Sequence, residues 1–228
     1  MYKIGHRGAP RVTPANTMGS FKAALENGCD WVESDSRPAA DGFVVLAHDD
    51  VIKDRFDNIF RISITPSSTL SKLDLGNGEG VPTLEELIDW AIGRIGVMND
   101  VKVEGCEEQI GAQMMRLPTD QRWILGAKAL NIKRFRELFP ALFLSQTFGH
   151  GEEERFIQSL PHLNTEAVTL AYPLITPNRV NELHQRNIKV IAWTVNDLTT
   201  AKSLVEMGVD GIISDDQKIL AGIEEHSL

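Results

Sequence analysis

One rhythm governs this chain: short runs rich in Val, Ile, Leu and Phe alternate with amphipathic stretches from end to end. Eight such runs read as strands, at residues 2–4, 31–35, 96–103, 122–126, 141–145, 167–171, 189–193 and 211–214. Helices are expected over 17–27, 84–94, 107–116, 132–138, 152–159, 177–186, 198–207 and 217–224. Boundary signals agree, with Pro82-Thr83 before Leu84, Pro177 at a first helical position, and Gly28 and Gly208 just past last turns. Strict alternation implies parallel strands joined by right-handed crossovers, and eight units predict a (β/α)8 TIM barrel, an α/β fold in a single domain spanning residues 1–228, over a doubly wound open sheet. With 228 residues and 42% hydrophobic content the chain can build a compact barrel, a fold that typically takes about 250 residues.

Residues 43–47 read as a further short strand before His48. The least regular stretch, 49–81, contains Pro66-Ser67-Ser68 and Gly76-Asn77-Gly78-Glu79-Gly80 and is expected to overhang the active face. Its apolar residues Ile52, Phe56, Ile59, Phe60, Ile62 and Ile64 are expected to pack beneath it. Lys and Arg number 23 against 32 Asp and Glu, a net charge of −9 without a long basic run, which excludes nucleic acid as a partner. An anionic substrate would then need local cations, with Arg7, Lys102 and a bound metal as candidates. Cys29 and Cys106 show no metal-type spacing and read as free thiols. No apolar stretch approaches the ~18 residues of a membrane span, and the N-terminus lacks a leader pattern. The expectation is a soluble, cytoplasmic protein, compatible with a homo-oligomer.

Side chains alternate along a strand, so Glu33 and Asp35 share one face, as do Asp100 and Lys102, while Val101 turns to the helix layer. In a barrel the site forms where strands end at the C-terminal face, and His6, Glu33, Asp35, Asp100 and Lys102 fall near the ends of strands one to three. Three converging carboxylates repel, and a divalent cation with oxygen ligands resolves the repulsion, Mg²⁺ or Ca²⁺ alike. Two imidazoles, His6 and His48, with the carboxylates and Arg7 form a toolkit for metal-assisted cleavage of a phosphate ester. Plainer readings stand beside this one. Glu-x-Asp also occurs on solvated sheet faces, Asp41-Gly42 is an ordinary tight turn, Lys102 can simply pair with Asp100, and Trp193 can be core or rim packing. His150, His162, His184 and His226, without carboxylate partners in sequence, read as surface residues.

The blocks Gly5-His6-Arg7-Gly8-Ala9, Pro14-Ala15-Asn16-Thr17, Glu33-x-Asp35 and Asp41-Gly42, followed by His48-Asp49, occur in an order that resembles the glycerophosphodiester phosphodiesterases. The resemblance continues through Val81-Pro82-Thr83-Leu84-Glu85-Glu86, Asp100-Val101-Lys102, Trp193-Thr194-Val195-Asn196 and Gly208-Val209-Asp210-Gly211-Ile212-Ile213-Ser214-Asp215. It implies a barrel with one divalent metal that hydrolyses a small glycerophosphodiester to glycerol 3-phosphate and an alcohol. Carried over by position, Glu33, Asp35 and Asp100 match metal ligands, His6 and His48 the acid–base pair, and Arg7 and Lys102 phosphate contacts, with Trp193 a further substrate contact. Two departures stand out. Ala15 replaces the family's glutamate, which predicts a lost partner for Arg7 or for the site's hydrogen bonds. Asp100 stands where a glutamate is usual, with Glu104 as rival third ligand, and aspartate there is similar to the sphingomyelinase D branch. Alternative functions are therefore a lysophospholipase D or sphingomyelinase D-like phosphodiesterase, or a barrel that binds a phosphodiester without cleaving it.

Overall fold

The structure, a computed structural model, describes residues 1–126 and 129–223. Eight strands close the barrel: β1 (Tyr2–Gly5), β2 (Trp31–Pro38), β3 (Gly96–Val101), β4 (Arg122–Gly126), β5 (Phe143–Phe148), β6 (Ala167–Ala171), β7 (Lys189–Trp193) and β8 (Gly211–Ser214). All neighbours pair in parallel, and β1 bonds both β2 and β8, which closes the ring. One helix follows each strand before the next: α1 (Met18–Glu26), α2 (Leu84–Ala91), α3 (Glu107–Met114), α4 (Ala129–Leu138), α5 (Glu153–Ser159), α6 (Pro177–Gln185), α7 (Leu198–Glu206) and α8 (Gln217–Gly222). Glu224, expected in the last helix, and His226 lie outside the described residues.

Alternation along each strand divides the core in two. Ile4, Trp31, Met98, Trp123, Leu125, Ala167, Ile191 and Ile213 fill the barrel. Their neighbours Val32, Val97, Ile124, Leu144, Val168, Val190 and Ile212 point outward onto Phe21, Leu87, Ile88, Phe135, Leu183 and Leu204. At the N-terminal end the rings of Tyr2, Trp31, Trp123 and Phe143 meet edge to face, with centroids 4.4–5.9 Å apart. This aromatic plug closes the bottom of the barrel and leaves the C-terminal mouth as the open end. Gly96 makes the plug fit, since a Cβ there would lie 2.3 Å from the Trp31 ring.

The third strand stops at Val101 instead of reaching residue 103, because Lys102 N makes a last bond to Ser36 O (3.2 Å) before the chain turns through Gly105 at φ +94°. The fifth strand lies later than expected. A turn bond from Leu142 N to Phe139 O (3.0 Å) holds the first apolar residues out of the ladder, and pairing with β4 and β6 carries the strand on to Phe148. Val44–Leu46 is a strand as expected; it folds back antiparallel on the end of β2 through the turn at Asp41-Gly42, where Gly42 has φ +83°.

The stretch expected to be irregular is partly ordered. Val51–Lys53 and Ile59–Arg61 form an antiparallel hairpin, followed by a short helical turn at Ser67–Leu70. Ile62 is buried and Ile52 partly so, over Val45 and Leu70. Phe56 and Ile59 on the hairpin and Ile64 in the turn after it, expected to be covered, are 65%, 66% and 73% exposed, because one face of this short excursion has no layer to pack against. Thr83 starts α2 with a capping box: its hydroxyl accepts from Glu86 N (3.1 Å) while Glu86 Oε2 accepts from Thr83 N (2.7 Å). Both cysteines are buried free thiols. Among the described residues no helix is long and apolar enough to cross a membrane.

Candidate active site

At the C-terminal mouth the turn His6-Arg7-Gly8 leaves β1 with Arg7 and Gly8 both at positive φ, 54° and 86°. Glycine is required at position 8 by that angle, and because a Cβ would meet Ser20 Oγ at 2.4 Å. Ser20 locks the turn, its hydroxyl donating to Arg7 O (2.8 Å) and accepting from Ala9 N (2.7 Å). His6 is thereby held over the barrel, and β2 and β3 bring up Glu33, Asp35 and Asp100 beside it, with Asp35 and Asp100 in direct register. All eight residues singled out in the sequence line one cavity: His6, Arg7, Glu33, Asp35, His48, Asp100, Lys102 and Trp193. Leu125, Thr147, Thr169 and Ile213 complete its wall.

Ligand oxygens of Glu33, Asp35 and Asp100 lie within 4.8 Å of one another, a candidate metal site. Glu104 is exposed, stands outside this group and lines a different depression, so Asp100 is the carboxylate the strand delivers. Burial, then the neighbouring Asp35 charge, pushes the Glu33 carboxyl up to about 7. Burial likewise raises Asp100 against the pull of Lys102. Asp35 goes the other way: burial opposes its ionisation, but the Lys102 and Arg7 charges and the bonds from Lys102 and Asn16 hold it below the usual carboxylate range. Lys102 Nζ lies 2.8 Å from Asp35 Oδ1 and 2.6 Å from Asp100 Oδ2, and these carboxylates keep its ammonium protonated despite burial. Asp100 Oδ1 is buried without a hydrogen-bond partner. A hard cation fits this set, since it would satisfy that oxygen and relieve the crowding of like charge.

Arg7 is not left unpaired by Ala15. Its Nε lies 3.1 Å from Asp35 Oδ2, off the hydrogen-bond axis, so the contact is an ion pair, and its backbone N–H donates to Glu33 Oε2 (3.0 Å). Four residues act here that the sequence did not assign. Asn16, at φ +58°, donates from Nδ2 to Asp35 Oδ2 (2.8 Å) and accepts from Asp35 N (3.1 Å). Asp215, just past β8, holds His6 Nδ1 at 2.7 Å, and Asn196 donates to its other oxygen at 2.5 Å. Burial works to lower the His6 proton affinity, but the Asp215 hydrogen bond and the Glu33 charge outweigh it, and the net shift is upward. The available signal was positional: a carboxylate at the C-terminal end of a barrel strand. Thr147, the fourth, was hidden by the misplaced fifth strand.

His48 Nδ1 contacts Asp49 Oδ1 at 2.9 Å, and the carbonyl of His48 accepts from Arg37 Nε (2.8 Å). Both catalytic candidates thus have Nδ1 tied to a carboxylate and Nε2 left for other contacts. The remaining histidines in the described residues lie outside the cavity. His184 is exposed, as its surface reading expects, and pairs through Nε2 with Asp210 Oδ2 (2.8 Å), a residue distant in sequence.

The model of the glycerophosphoryl diester phosphodiesterase family matches residues 6–218. A glycerophosphodiester phosphodiesterase of Caldanaerobacter subterraneus subsp. tengcongensis is 26% identical over 237 residues, covering 96% of each chain. Among solved structures, an Oleispira antarctica phosphodiesterase in complex with the product sn-glycerol-3-phosphate superposes with a TM-score of 0.84 at 28% identity, over 98% of this chain and 97% of that one. A glycerophosphodiester phosphodiesterase from Agrobacterium tumefaciens has the same fold, with a TM-score of 0.83 at 20% identity over 97% and 99% of the two chains.

Proposed function

This chain belongs to the glycerophosphoryl diester phosphodiesterase family, and we propose that it hydrolyses small glycerophosphodiesters to glycerol 3-phosphate and an alcohol, using one divalent cation and two histidines. The observation that carries this reading is the convergence of His6, Arg7, Glu33, Asp35, His48, Asp100 and Lys102 on a single cavity at the barrel mouth. Glu33, Asp35 and Asp100 would hold the cation, Mg²⁺ or Ca²⁺. Such an ion supplies charge neutralisation to a non-bridging phosphate oxygen.

The chain's own residues supply the rest. Arg7 and Lys102 place two fixed cations at the cavity wall, where they attract and orient the phosphodiester against the net charge of −9. Lys102 and Arg7 also keep Asp35 ionised, so that this one ligand carries its charge before substrate arrives. Asp215 accepts from His6 Nδ1–H, which fixes the tautomer and leaves Nε2 to exchange a proton with the reacting groups. His48 offers its Nε2 likewise from the side of the hairpin excursion. One imidazole removes a proton from the nucleophile, either water or the glycerol hydroxyl next to the phosphate, and the other protonates the leaving alkoxide; where the hydroxyl attacks first, water then opens the cyclic phosphate to glycerol 3-phosphate. A binding protein for a phosphodiester would need neither imidazole.

The proposal predicts that His6→Ala and His48→Ala each lower kcat by ~100-fold or more, with substrate affinity nearly unchanged. Variants that turn over like the parent would refute the acid–base assignment. A lysophospholipase D-like reading draws support from the exposed Phe56 and Ile59 on the hairpin and Ile64 just after it. It predicts faster release of choline from lysophosphatidylcholine than from glycerophosphocholine. The cavity favours the small substrate, because none of those three residues lines it.

A further inference from the structure

The wall of the cavity is divided by chemistry. Its charged side chains come from β1, β2, β3 and the His48 segment, whereas β4 to β8 contribute Leu125, Thr147, Thr169, Trp193 and Ile213. On this neutral side the Thr169 hydroxyl is satisfied by Ser145 Oγ at 2.7 Å, one layer below the mouth. Thr147, the next inward residue along β5 and the register partner of Thr169, has a buried Oγ1 with no hydrogen-bond partner. Trp193 Nε1 is likewise buried and unpartnered. Buried polar groups are normally satisfied, so two on one wall of a binding cavity mark a place that a ligand completes. One is a donor only, and the other can donate and accept.

We infer that Thr147, with Trp193, forms the subsite for the glycerol moiety and acts as a specificity-determining residue of this enzyme, an inference that rests on the proposed function. A phosphodiester held against the cations presents its uncharged substituent to the neutral side. Two neighbouring hydroxyls both accept and donate, which matches an indole N–H and a threonine hydroxyl on the same cavity wall. A leaving alcohol such as choline has no such pair once esterified, so the wall selects the glycerol half.

Thr147→Val keeps the shape of the side chain and removes only the hydroxyl, while Thr147→Ser restores it. Binding of sn-glycerol 3-phosphate and of inorganic phosphate is measured by calorimetry in buffer containing Mg²⁺, for the parent and both variants. The expected result is a roughly five- to twentyfold weaker affinity of Thr147→Val for sn-glycerol 3-phosphate, as for the loss of one hydrogen bond. Affinity for inorganic phosphate is unchanged, and Thr147→Ser returns to the parent value. Equal weakening of both ligands, no weakening of either, or a parent that binds sn-glycerol 3-phosphate no better than phosphate overturns the inference. Turnover of glycerophosphodiesters is assayed on the same samples. A protein that shows the binding pattern but releases no product keeps the subsite and loses the hydrolytic reading, so the two failures are separable.

Discussion

His6 depends on a residue 209 positions away. Asp215 holds its Nδ1 at 2.7 Å and is itself kept ionised, because the hydrogen bonds from His6 and Asn196 outweigh its burial. The same bond raises the His6 proton affinity, so removing the charge must lower it. Asp215→Asn is therefore predicted to move the pH–rate limb belonging to His6 to lower pH and to reduce kcat by roughly tenfold. A pH profile of kcat/KM checks this, and a limb that stays in place with reduced rate would leave Asp215 a merely structural role. Residue types made Glu33 with Asp35, and Asp100 with Lys102, legible, because alternation along a strand puts each pair on one face. Asp215 and Asn196 were not assigned, since their chemistry is a partnership between β1 and the ends of β7 and β8 that only barrel closure creates. Arg7, beside the position where Ala15 replaces a glutamate, finds Asp35 from another strand, a partnership that is likewise not local in sequence.

At the scale of elements, glycine and aromatic residues at the strand starts decide whether the barrel closes. Gly96 opens β3, and a methyl group there would penetrate the Trp31 ring in the plug. Gly96→Ala is predicted to cost about 1–3 kcal/mol through overpacking, a fall in Tm of roughly 3–10 °C by calorimetry. The double variant Gly96→Ala/Trp31→Leu should recover part of that loss; no recovery would mean that the glycine serves backbone freedom instead. Element order was legible because the hydrophobic period switches between strand and helix along the chain. Boundaries were less so. The fifth strand begins at Phe143 because a turn at Phe139–Leu142 and its two neighbours set the register, and neither is visible in a local apolar run. That displacement concealed Thr147 as an inward-facing polar residue, and with it part of the neutral wall of the cavity.

For the molecule as a whole, eight βα units in 228 residues sufficed to give a single closed barrel with its site at the strand C-termini. The excursion between β2 and α2 was less legible, since its apolar residues divide between a small core and an exposed hairpin face by a packing geometry that sequence does not encode locally. The distribution of charge completes the account. An acidic chain gathers Arg7 and Lys102 at a cavity where two buried carboxylates and the partly buried Asp100 also meet. That arrangement is costly to folding, and the proposed cation and phosphodiester would offset the cost. The most direct test is release of glycerol 3-phosphate from a panel of glycerophosphodiesters by purified protein as isolated, after chelation, and after return of Mg²⁺ or Ca²⁺. The account predicts release that chelation abolishes and a divalent cation restores, with no restoration in Glu33→Gln. Undiminished release in chelator, or none from any diester with either ion, would contradict it.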